Sequence, residues 1–164
     1  ATLVNFLEKN NFPEIGYSNM TEASDTTNVF TRAKSSEVIG SGPDIAFKYY
    51  SCFSFVGGLI FKKSAFDKFN TPKHDGSIYV QMYLATVMIS SGLRVFSLNE
   101  TMVLKDLVID EKKSNSYLDT LAKSWKEYRV ENGGLPSVIN VLISGFTDAG
   151  KLTNKIILDI FRHI

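Results

Sequence analysis

The chain has 164 residues, 44% of them hydrophobic and 21% charged, with a formal net charge of +1. That length supports one domain with a real core and is short for two. The composition excludes global disorder, and the near-zero charge excludes a general nucleic-acid binder, which needs a concentrated basic surface.

The one cysteine, Cys52, rules out an internal disulfide framework, fits a reducing compartment, and reads as a small buried residue. No apolar run reaches the about 18 residues of a membrane span. The first residues, Ala-Thr-Leu-Val, already carry helix-like patterning without a Met or a secretory leader, so a piece of a longer protein is expected.

Leu3, Phe6 and Leu7 fall at helical spacing in residues 1–11, and Pro13 is expected to end that helix. Glu14–Met20 reads as a short strand. Thr21–Pro43, rich in Ser, Thr, Asp and Gly, reads as a long surface excursion with Val29–Phe30 and Val38–Ile39 as its apolar pairs; loops of that length often act as lids or binding loops. Ala46–Cys52 and Phe53–Phe61 are dominated by aromatic and β-branched residues and are predicted strands. Gly57–Gly58 interrupts the second, as at a bulge or a close backbone approach. Ser64 is the predicted N-cap of a helix over Ala65–Phe69.

A nearly all-apolar helix is predicted from about Ser77 until Gly92 stops it. Strands Arg94–Leu98 and Met102–Lys105 follow, joined by an Asn-Glu turn. In Tyr117–Glu131, Leu118, Leu121, Ala122, Trp125 and Tyr128 form one helical stripe. Gly133–Gly134 breaks it, Pro136 opens the next helix with Val138, Val141, Leu142 and Phe146 on its stripe, and a last helix covers about Leu152 to Ile164. No internal repeat is visible.

Asp75, in the link ahead of the apolar helix, has two readings. A carboxylate there can be a general base if it faces a cleft, or it can cap the helix or a turn beside Gly76. His74 is expected to be a solvated loop residue, with no other His or Cys at ligand spacing to make a metal motif. Gln81 is the lone amide on an otherwise buried helix, so either backbone groups satisfy it or it faces a polar cleft. Lys105 and Asp106 end a strand, where open α/β sheets place ligands; the alternative is an exposed ion pair worth little.

Other signals carry less. Gly40-Ser-Gly-Pro lacks phosphate-loop spacing. Asn19-Met-Thr and Asn99-Glu-Thr match a glycosylation sequon by chance. The Lys48-Tyr-Tyr cluster suits base stacking and a half-buried strand equally, and Lys112–Lys113 reads as solvated surface.

Taken together, Ser54-Phe55-Val56-Gly57-Gly58, Asp75-Gly76-Ser77, Gln81-Met82-Tyr83-Leu84-Ala85, Gly92, Lys105-Asp106 and the later Ser116-Tyr117 resemble the C-terminal half of family 2-type bacterial glycosyltransferases with a GT-A fold. The resemblance covers about residues 53–117. A helix like Leu3–Asn10 and a strand like Ile15–Met20 also fit the family, just after its Asp-rich metal and nucleotide motif, which is missing here.

The resemblance implies an α/β fold, the C-terminal half of a GT-A-like mixed sheet with flanking helices followed by a helical tail. Residues 1–110 would be the acceptor-side part of the catalytic domain and 111–164 the tail. It implies inverting transfer of a sugar from a nucleotide-sugar donor to a glycan or lipid-linked acceptor. A divalent Mn or Mg ion would be bound by the parent protein and not by this chain. The family's acidic base position, counted back from Gly92, falls nearer Gln81 than Asp75. Glutamine cannot be a base, so Asp75 takes that role and Gln81 becomes a hydrogen-bond partner. The expected substrate-binding residues are Gly57, Gly58, His74, Gln81, Lys105 and Asp106, with no metal ligand.

The expected location is cytoplasmic, at the inner face of the plasma membrane, with the tail supplying acceptor, membrane or self-association contacts. No nucleic-acid partner is expected. The alternative is a non-catalytic carbohydrate- or protein-binding α/β module.

Overall fold

The computed structural model describes residues 2–23, 26–27, 29–105 and 134–164 (backbone only at 2 and 105). These residues form a mixed α/β fold: a five-stranded sheet flanked by helices, with two C-terminal helices. Its axis is a parallel pair, β1 (Ile15–Glu22) and β5 (Val95–Lys105). Strand β3 (Glu37–Gly40) pairs antiparallel with β5. The other edge of β1 is shared by β4 (Leu59–Phe61) along its first half and β2 (Val29–Phe30) along its second, both antiparallel. Seven of the eight β1 residues are buried, as expected of a strand covered on both faces.

Helix α1 (Thr2–Lys9) ends before Pro13, because Asn11 and Phe12 turn the chain with φ of 57° and 50°. The Arg94 guanidinium donates to the carbonyls of Asn10 (3.2 Å) and Asn11 (2.6 Å) and holds that turn. The excursion from Thr21 to Pro43 is not strandless, since its two apolar pairs fall in β2 and β3.

Four predicted elements are corrected. Ala46–Cys52 is not a strand: α2 (Pro43–Tyr49) runs into a 3₁₀ turn over Tyr50–Phe53. Pro43 sits in the first turn, where its missing N–H has no partner to lose. The aromatics that suggest a strand pack at helical spacing instead; Phe47 and Tyr50 lie 5.9 Å apart, and buried Phe53 meets Tyr17 edge-on at 5.6 Å. Consequently only Leu59–Phe61 of the second predicted strand is extended. Helix α3 (Lys63–Phe69) starts two residues early, with Lys62 and not Ser64 at the N-cap. Finally, the Asn-Glu turn is no turn. β5 runs straight through it, and Asn99 and Glu100 bulge where the register jumps from Ser18↔Leu98 to Asn19↔Thr101.

Helix α4 (Val80–Ser90) is buried on every side from Gln81 to Ser90, which its apolar composition demands. It begins three residues later than expected and stops as expected. Gly92, at φ +100°, donates to the Ile89 carbonyl and Leu93 donates to that of Met88.

Helices α2, α3 and α5 (Leu135–Asp148) pack on α4. Val141, Leu142 and Phe146 of α5 share one core with Met82, Ala85 and Ile89, and Ile156 and Ile160 of α6 (Asn154–His163) join it. The stripe predicted over 117–131 lies outside the described residues.

Helices α4 and α5 approach closely at Gly145, where a Cβ would lie 2.8 Å from the Thr86 Cβ and 3.2 Å from the Tyr83 carbonyl oxygen. That carbonyl is backbone and cannot swing away. Gly145→Ala is therefore expected to cost about 1–3 kcal/mol, read as a lower urea midpoint at unchanged slope.

Candidate functional site

The antiparallel entry of β4 places the stretch ahead of it beside the carboxyl half of β1. Gly58 sits opposite Ser18, whose N–H donates to the Gly58 carbonyl at 2.9 Å. Between that stretch and the first turn of α4 lies a cleft of about 530 Å³, walled by Ser54–Val56 on one side and Ser77–Gln81 on the other. It flanks the carboxyl side of the parallel pair, where open α/β sheets take ligands. A second cavity of about 500 Å³ lies at the amino ends of β1 and β5, between Phe12, Phe61 and Arg94. That is the wrong end of the sheet on the same rule.

The cleft walls hold serine hydroxyls, the Phe55 and Tyr79 rings and one amide, with no Asp, Glu, Lys, Arg or His among the residues lining it. Gln81 is 9% exposed; its Nε2 donates to the Ser54 carbonyl at 3.0 Å, while its Oε1 has no hydrogen bond to any described residue. Both readings of Gln81 therefore hold at once. Backbone fixes the nitrogen, and the oxygen remains as an acceptor in a cleft-lining side chain.

Asp75 is exposed, and its side chain makes no hydrogen bond or ion pair with any described residue. It is not a helix cap, because α4 starts at Val80 with Tyr79 at the N-cap. It precedes by two residues the cleft wall that begins at Ser77 and does not line the cleft itself.

His74 departs from expectation. It is 7% exposed, packed against the Tyr83 ring at 4.4 Å between centroids, with Nε2 buried and bonded to no described residue. That burial overturns the reading of a solvated loop histidine. The backbone of Lys105 pairs with Glu22 at the end of β5; the Lys105 side chain and Asp106 lie outside the described residues.

Gly57 and Gly58 do permit a close approach, but by the protein itself. A Cβ on Gly58, at φ +73°, would lie 2.7 Å from an Arg32 nitrogen and 2.6 Å from the Ser18 hydroxyl. Arg32 is the residue that sequence reasoning missed. Its guanidinium fills the gap on the β1 edge between β4 and β2. Nε and Nη2 donate to the Ser18 carbonyl (3.0 and 2.7 Å), Nη2 also to Gly57 (2.6 Å), and Nη1 to Cys52 (3.0 Å) and Phe55 (3.2 Å). Asn19 positions it from below, its Oδ1 accepting from the N–H groups of Arg32 and Ala33.

Burial pulls the guanidinium below its ordinary pKa, with the neighbouring Cys52 thiol and Tyr17 phenol opposing. The Cys52 thiol, itself half-buried, is raised by burial, and so is the Tyr17 phenol. Arg32 thus sets the shape of the cleft wall, and its donors are committed to carbonyls.

Among the described residues no group of three or more His, Cys, Asp or Glu side chains converges. None of the helices they form is long and apolar enough to cross a membrane. Compared with family models, curated proteins and solved structures, the chain matches none.

Proposed function

We propose that this chain is the acceptor-side part of an inverting glycosyltransferase that moves a sugar from a nucleotide-sugar donor to a glycan or lipid-linked acceptor at the cytoplasmic membrane face. The observation that carries the reading is Asp75, an exposed carboxylate that bonds no described residue, two residues ahead of a cleft with no charged residue in its lining. A sugar suits such walls, because rings such as Phe55 and Tyr79 offer apolar faces and Gln81 Oε1 accepts a hydroxyl hydrogen. In the reaction, Asp75 takes the proton of the acceptor hydroxyl. The hydroxyl oxygen bonds to the anomeric carbon from the face opposite the leaving nucleoside diphosphate, which departs with the bonding pair. Donor and metal would be held by residues beyond these 164.

The test is nucleoside diphosphate release by the intact protein supplied with a panel of nucleotide sugars, Mn²⁺ and a membrane glycolipid extract. Release that requires both one donor and the extract supports the reading. No release with any donor favours the non-catalytic binding module.

A further inference from the structure

The link from Pro72 to Ser77 carries Asp75 and joins the cleft wall, so whatever holds the link holds the start of that wall. Four side chains on three elements do so. The His74 ring lies against Tyr83 of α4; the Tyr83 hydroxyl donates to Asp148 Oδ2 of α5 at 2.8 Å; and Lys73 donates to both Asp148 oxygens, at 2.9 and 2.7 Å. Asp148 is thereby engaged by a phenol and an ammonium, and it has no hydrogen bond to His74. The groups facing His74 are thus Tyr83 from α4, Asp148 from α5 and Lys73 from the link itself, with Asp75 following it on the exposed side.

The buried Nε2 has no hydrogen-bond partner among the described residues. A neutral imidazole tolerates this at the cost of one unmade acceptor bond. An imidazolium would place a charged N–H at the same buried atom, beside the Lys73 ammonium, with no described residue to accept it. We infer that His74 is a proton-operated latch: when it is neutral the link is docked on Tyr83, and when it is protonated the link and the start of the cleft wall are released.

The sign follows from proton linkage. Burial, then Lys73, depress the pKa of docked His74, and Asp148 only partly offsets them. The undocked link therefore binds the proton more tightly, so docking is strongest above the free-histidine value of about 6.5 and weakens as pH falls below it. The latch is a property of the fold. Its effect on turnover, through Asp75, rests on the glycosyl-transfer reading.

Amide hydrogen exchange tests the latch without any substrate. The reporters are the Asp75 N–H, bonded to the Pro72 carbonyl, and the Ser77 N–H, bonded to that of His74, each at 3.0 Å. Protection factors in the whole chain at about pH 7.5 and about pH 5.5 are compared with those of α6, for wild type and for His74→Phe, which keeps a ring on Tyr83 but cannot titrate. The wild-type link is expected to lose protection by several-fold, up to about tenfold per pH unit for a single proton, while the His74→Phe link does not respond. An equal response in both proteins, or none in the wild type, overturns the latch. Should His74→Phe fail to fold, the His74 imidazole titration read by NMR in the wild type decides. A midpoint at or above that of a histidine in an unstructured peptide overturns it, and one below supports it.

Discussion

Arg32→Met is expected to destabilise the fold by about 3–4 kcal/mol, the largest effect of any single substitution proposed here. The methionine fills much of the aliphatic volume, so the loss reports the guanidinium. Its removal strips hydrogen bonds from the carbonyls of Ser18, Cys52, Phe55 and Gly57 at once. Hydrogen bonds to a charged donor each contribute more than neutral ones, and partly buried carbonyls left without a partner keep their desolvation cost. Water reaching the more exposed Phe55 carbonyl recovers a part, so the loss falls short of the sum. Arg32→Lys should recover less than half, since one ammonium cannot reproduce a planar fork on four acceptors. Urea midpoints at constant slope give both numbers. A loss under about 1 kcal/mol for Arg32→Met, the ordinary surface range, would show that the wall of the cleft holds itself.

Asp75→Asn in the intact protein is expected to lower glycosyl transfer by about 100- to 10,000-fold, the usual contribution of a general base. The exchange is nearly isosteric, and Asp75 has no hydrogen bond or ion pair with a described residue that it could break. Stability should therefore stay within about 0.5 kcal/mol of wild type. That pairing, large in rate and negligible in stability, separates a base from a structural carboxylate. If the rate holds, Asp75 is not the base. If rate and stability fall together, the residue supports the fold and the geometry around it has been misjudged.

Much of the scaffold is legible in the sequence where local and tertiary forces agree. The helix ending at Gly92 is one case, because apolar helix-forming residues, the burial they require and a left-handed stop at φ +100° all point the same way. The strand from Ile15 is another. Ala46–Cys52 is where they disagree: aromatic residues favour a pleated surface only when one is beside them, and Pro43 after Gly42 starts a helix that presents Tyr49 to Tyr17, which Phe53 of the following turn also meets. The bulge at Asn99 and Glu100 looks like a turn in sequence because the residues suit turns. In the fold, Asn99 accepts from Asn19 Nδ2 at 3.2 Å and its own N–H donates to the Ser36 hydroxyl at 2.9 Å, so the strand continues.

The site is only half legible. Gln81 stands out as an amide on an apolar helix, and that anomaly leads straight to the cleft. Arg32 does not stand out, because its partners are backbone carbonyls, which leave no side-chain pattern to read. His74 misleads for the complementary reason. Polar neighbours make its link look solvated, whereas Tyr83, nine residues on, supplies the ring that covers it.

The most direct test is a map of where a sugar binds. Backbone amide shifts of the whole chain, titrated with methyl hexopyranosides, should move at Phe55, Ser77 and Gln81, and should stay fixed at Phe12, Phe61 and Arg94 around the other cavity. Shifts confined to that other cavity, or none in the stretch from Ser54 to Gln81, would contradict the assignment of the cleft as the acceptor site.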